Sequence, residues 1–240
     1  MASTTETGHP MIVANFEDLI NFCLGYGAAY NPSRESIKIA SLTNKLTNAQ
    51  ASLQAVKVAK ADYDNATNQR EEAFSTLKKF STRIINALAA TDATELTLDD
   101  ARTSINKIQG KRATKKAAVV SGDVETKVTT ISTSQQSYDS LINHFATLIA
   151  TVSSEPTYTP NEPELTPTGL NTTLLDLRTK NTATLITATA LSNARIARDK
   201  SLHAENTGLI DTALAVKNYV KSVFGSSSPE FKQVSRIKFS

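Results

Sequence analysis

Apolar residues recur at steps of three and four through the first third of the chain. They run Ile39, Leu42, Leu46, Ala49, Leu53 and Val56, with Tyr63 one heptad further, then Phe74, Leu77, Ile84 and Leu88. That period lays them along one face of an α-helix. No Gly or Pro stands between Ser33 and Ala90, so the spacing predicts a single helix over 33–90, on the order of 85 Å at 1.5 Å per residue. Pro32 suits its first turn, with Asn31 or Ser33 as cap. Upstream, residues 1–32 read as an extension carrying a short helix: Asn15 can cap a start at Phe16, Gly25 can stop it, and Phe16, Leu19, Ile20 and Cys23 share a face.

A second tract is predicted over 98–153. Thr97 with Asp100 resembles a capping box ahead of Leu98, Ala101, Ile105 and Ile108. The tract is interrupted near Gly110 and resumes through Val124, Val128, Ile131, Tyr138, Ile142, Phe145, Ile149 and Val152. Pro156, Pro160, Pro163 and Pro167 forbid helix in the loop 154–168 and favour an extended, polyproline-like connection. The third tract, 169–224, carries Leu174, Leu177, Leu185, Leu191, Leu202, Leu209, Val216 and Val220, and Gly208 is its internal weak point, at about 1 kcal/mol against Ala. After Gly225 and a Ser-Ser-Ser-Pro stretch, the tail 225–240 alternates Phe231, Val234, Ile237 and Phe239 with cations and is expected to be non-helical.

Three tracts of near-equal length predict an all-α fold, an elongated up-down-up bundle. In that arrangement the N-terminal extension lies with the Pro-rich loop at one end, and the C-terminal tail lies with the turn TDATELT at the other. The two apolar extensions would stand at opposite poles.

Composition refines this picture. Aromatic residues make up 6% of the chain and Trp is absent, so the packing material is Ala, Ile, Leu and Val rather than rings. From Val128 to Ser154 only Asp139 is charged, and Asn181–Ala194 carries no charge at all. Small uncharged side chains on a helix suit a surface covered by a partner; a polar surface biased by composition is the plainer reading. A net charge of +3 is too small to demand nucleic acid or an acidic membrane. No apolar stretch approaches the roughly 20 residues of a membrane span, which argues against an integral membrane protein. The N-terminus lacks the basic region of a Sec-type signal peptide, leaving a cytoplasmic start or export by another route.

No motif specifies a chemistry. His9, His144 and His203 have no metal-ligand spacing, and no Glu-x-x-His pair suggests a di-iron bundle. No cofactor or metal is expected. Cys23, the single cysteine, reads as a small core residue, and His144 as a packed one. Gly25-Tyr26-Gly27 follows a helix rather than a strand, which removes the context of a dinucleotide loop. Asp62, Asp64 and Asn65 start like a calcium loop but lack its Gly, and Ala73 stands where the closing Glu belongs. The sharpest charge feature is the basic run Lys107, Lys111, Arg112, Lys115 and Lys116. It could meet an anionic surface, each cation contributing about 1 kcal/mol, or form a solvated elbow. Without interleaved aromatics it argues against nucleic acid.

The segment Tyr219-Val220-Lys221-Ser222-Val223-Phe224-Gly225, with Ser228-Pro229-Glu230-Phe231-Lys232-Gln233-Val234 and Ile237-Lys238-Phe239, resembles the closing segment of uncharacterised bacterial all-helical proteins. The resemblance implies that helix, Gly stop and Phe/Lys tail form one unit, and it carries no activity. The expected function is therefore that of a non-enzymatic structural or interaction protein, a homo-oligomer assembling into a filament, ring or fibre. Its contacts would come from Met11, Ile12, Val13, Phe16 and Phe22 at one pole, from Phe231, Val234, Ile237 and Phe239 at the other, and from the uncharged helix faces. The alternative is a membrane- or partner-binding module, a pore-forming or effector component, using the elbow 107–116.

Overall fold

A computed structural model describes residues 8–111 and 135–239. Among them there is no strand, and the fold is an all-α helical bundle. Its helices are α1 (His9–Gly25), α2 (Ile39–Ser75), α3 (Leu77–Ala89), α4 (Glu95–Gln109), α5 (Tyr138–Ser153), α6 (Pro167–His203), α7 (Leu209–Phe224) and α8 (Pro229–Ser235).

The helix ends differ from the expected tracts for local reasons. Helix α1 starts at His9, with Pro10 in its first turn, rather than at Phe16. Asn15 therefore lies inside the helix, and its amide donates to the Lys238 carbonyl at 2.7 Å instead of capping. The tract 33–90 is broken twice. Glu35–Ile37 is a 3₁₀ turn between extended residues Arg34 and Lys38, and Thr76 interrupts the register between α2 and α3. Thr94, not Thr97, caps α4, its hydroxyl accepting from the Thr97 N–H at 3.2 Å. Gly110 ends α4 with paired bonds, Gly110 N–H to Lys107 O and Lys111 N–H to Asn106 O, the Schellman pattern. Val124, Val128 and Ile131 lie outside the described residues.

The third tract is two helices. Asn206 adopts a positive φ of 62°, and its N–H donates to the Asp211 carboxylate at 2.7 Å. Gly208 then brings its backbone so close to α6 that an added Cβ would lie 2.6 Å from the Ala204 carbonyl oxygen. The position admits no side chain, so Gly208 separates α6 from α7. The tail expected to be non-helical contains α8. Ser228 caps it by accepting from the Phe231 N–H at 3.0 Å, and Pro229 and Glu230 occupy the first turn, where both are favoured. The Pro-rich loop is folded by turns at Glu155–Tyr158 and Glu162–Leu165 rather than being extended throughout. It buries Tyr158 and Leu165.

The described helices pack as two compact bodies. The first comprises residues up to Tyr63 together with those from Thr187 onward; the second is Asp64–Ile186. The first closes around Phe16, Leu19, Leu42, Leu202, Val216 and Val220, the second around Ile84, Leu88, Phe145, Leu148, Leu170 and Leu177.

These two cores repeat one another. Helices α2 and α6 are each 37 residues long, and each follows a loop of the form Tyr-x-Pro with an aliphatic residue seven positions after the Tyr. In one loop the buried Tyr30 hydroxyl donates to the Ile37 carbonyl at 2.6 Å. In the other Tyr158 donates to the Leu165 carbonyl at 2.9 Å. Upstream, Phe16-x-x-Leu19-Ile20 in α1 corresponds to Phe145-x-x-Leu148-Ile149 in α5, and all six are buried. Cys23 matches Val152, and Leu42 matches Leu170. Downstream, Leu77, Ser81, Ile84 and Leu88 of α3 match Leu209, Ala213, Val216 and Val220 of α7 in spacing and burial.

Residues 8–111 and 135–239 are thus two copies of one plan: short helix, Tyr-Pro loop, long helix, helix, helix. Each body mixes the copies. The first body takes α1, its loop and the start of α2 from the first half, and the end of α6, α7 and α8 from the second. The second body takes α5, its loop and the start of α6 from the second half, and the end of α2, α3 and α4 from the first. Packing follows this rule: α1 lies against α7 and α8, and α5 lies against α4. Helix α8 therefore holds, against α1, the place that α4 holds against α5.

Candidate interaction site

The residues expected to mediate association fall in one body. Ile12, Val13, Phe16 and Val234 are buried in its core, and Phe22, Phe231, Ile237 and Phe239 are half-buried against that same core. Met11 is half-buried in α1. The two extensions are not at opposite poles, because the duplicated plan seats the end of the second half on the start of the first.

Polar contacts fasten this seat. Besides the Asn15 bond to Lys238, the Tyr26 hydroxyl donates to the Glu230 carbonyl at 3.0 Å and lies 3.2 Å from the Gln233 side-chain oxygen. The Lys217 ammonium donates to the Ile237 carbonyl and sits 5.1 Å from the centre of the Phe239 ring. Lys221 is placed 5.7 Å from the Phe231 ring centre. Burial lowers the Lys217 pKa below its ordinary value, and the carbonyl and ring supply the partial negative charge its cation needs. The alternation of Phe and Lys noted in the tail has its counterpart in lysines of α7 that meet the tail's rings.

The second body contains a polar cluster that periodicity did not reveal. Asn181 of α6 is buried; it accepts from Arg70 of α2 at 3.3 Å and donates to Asp139 of α5 at 2.8 Å. The Arg70 guanidinium lies 4.0 Å from the centre of the Tyr138 ring, and that ring meets Phe74 edge-on. The amide bridges cation and carboxylate without direct pairing, although the Arg70 Nε keeps no hydrogen-bond partner, and such a polar crossing between helices favours one register. The available signal was Asn181 standing in register with Leu174, Leu177 and Leu191 on the buried face of α6.

No other described group forms a reactive set. Cys23 is buried, and that burial pushes its thiol up to about 12, so it is inert at neutral pH. His9 lies 3.5 Å from Asp199 and packs edge-on to His203. Burial and then Lys107 hold His144 below its ordinary pKa, and its Nε2 has no hydrogen-bond partner. Among the described residues no group of three His, Cys, Asp or Glu side chains could hold a metal ion. None of their helices is long and apolar enough to cross a membrane. Of the basic run, Lys107 and Lys111 are exposed at the end of α4, while Arg112, Lys115 and Lys116 lie outside the described residues.

Helix α6 exposes apolar side chains within the second body. Leu175 is 66% exposed and Ile186 63% exposed. Eleven residues make just over three turns, so both lie on one face. Thr182, also exposed, lies between them on that face. No family model matches the chain, and neither a curated protein nor a solved structure matches it.

Proposed function

We propose that this chain is a non-enzymatic helical interaction protein that associates with copies of itself. The observation that carries the reading is the exposed apolar face of α6, where Leu175 and Ile186 stand in water, Ile186 within the charge-free run Asn181–Ala194. Apolar side chains aligned on one face and left exposed mark a contact surface. The terminal extensions, occupied within their own body, are released from the direct role expected of them. The association surface is the helix face.

Light scattering of the purified chain over a hundredfold concentration range tests the proposal. A mass above that of one chain is expected, falling toward that of one chain in the Leu175→Glu, Ile186→Glu double variant with little change in thermal midpoint. A wild-type mass of one chain at every concentration would overturn it.

A further inference from the structure

Each of the two cores draws its residues from both halves of this chain. The surfaces that α1 presents are covered by α7 and α8, and those of α5 by α4, so each half is completed by the other. From this we infer that a second copy of the chain can be engaged by exchange of halves: α1–α4 of one chain complete both bodies with α5–α8 of another. The inference rests on the reading of the chain as self-associating and adds a second way, besides the α6 face, in which a copy is held.

The physical argument is one of identity of contacts. An exchanged pair buries Phe16 against the same α7 residues and places Asn15 on the same Lys238 carbonyl as the unexchanged chain, so the interfaces are equal in energy. Exchange of an identical element is a low-cost route to association. Two halves within one chain meet at an effective concentration on the order of millimolar. Exchange is accordingly minor in dilute protein and grows with concentration. A reciprocal exchange closes a dimer, whereas an unreciprocated one leaves a free half at each end and propagates.

Two contacts between halves report on it. In the first body Asn15 meets the backbone of Lys238 at 2.7 Å. In the second, Arg83 of α3 pairs with Glu164 at 2.8 Å. Four single-cysteine additions to the full chain, Asn15→Cys, Lys238→Cys, Arg83→Cys and Glu164→Cys, are refolded together in complementary pairs under reductant and then oxidised. The native thiol of Cys23 stays buried and silent. The double variants within one chain, Asn15→Cys with Lys238→Cys and Arg83→Cys with Glu164→Cys, test whether each pair can close, and a flexible bis-maleimide replaces oxidation at a pair whose Cα atoms lie beyond the roughly 7 Å that a disulfide spans.

The expected result is interchain disulfide at both pairs, its fraction rising about tenfold when the refolding concentration rises about tenfold in the micromolar range. It should persist in the Leu175→Glu, Ile186→Glu background. Interchain product at 15/238 alone overturns half exchange in favour of local exchange of the C-terminal segment. Masses above one chain with no interchain product at either pair overturn exchange but leave self-association standing. A mass of one chain throughout, with no interchain product, overturns both.

Discussion

His144 and His9 show how single residues tie this fold to pH. Both are held below the ordinary 6.5, His144 by burial and then Lys107, His9 by burial and then Arg198, against an opposing pull from Asp199. A histidine with a lowered folded pKa binds its proton more readily in the unfolded chain. Stability from these two groups is therefore fully present above pH 6.5 and is lost as pH falls below it toward their folded values. The lowered carboxyls of Glu164, hydrogen-bonded to Arg83, and Asp199, hydrogen-bonded to Arg198, lose their contribution only in the more acidic carboxylate range. We expect the urea midpoint to drop between pH 7.5 and pH 5.5, and the drop to be smaller in His144→Gln. An identical drop in that variant would remove His144 from the account.

At the scale of elements, the two Tyr-Pro loops are the devices that start the long helices. Each buries a ring and spends its hydroxyl on the carbonyl two residues before the helix, at Ile37 before α2 and at Leu165 before α6. Tyr30→Phe and Tyr158→Phe each leave a buried carbonyl unpaired and should cost about 1–3 kcal/mol, measured by chemical denaturation. The costs should be similar because the settings are equivalent; a loss confined to one variant would mean that the loops are not. Helical class was legible in the 3.6-residue period, and the stops at Gly110 and Gly225 in their glycines. The start of α1 was not, since Gly8 offers no capping side chain. The separation of α6 from α7 was hidden because Asn206 and Gly208 act by backbone conformation and close approach, which no periodicity records. Helix α8 carried its signature in Ser228-Pro229-Glu230, but Phe231, Val234, Ile237 and Phe239 alternating with cations gave the expectation of a non-helical tail.

At the scale of the whole molecule, the buried positions of the candidate site could be named from the sequence while their arrangement could not. Phe16, Val234 and their neighbours are apolar and were bound to be covered. What covers them depends on the duplication, and only scattered anchors of it survive in the residues, Phe-x-x-Leu-Ile and Tyr-x-Pro among them. Elsewhere the two halves keep size and burial while changing type, as Cys23 and Val152 or Ser81 and Ala213 do. The hydrogen bond from Asn15 to Lys238 sets the beginning and the end of the described chain side by side in the first body. A circular permutant, with residues 239 and 8 joined by a short Gly-Ser linker and the chain opened between 112 and 134, should therefore fold with the helical circular dichroism and unfolding midpoint of the parent. Its α5–α8 half would be synthesised first, so the order of the halves along the chain is interchangeable.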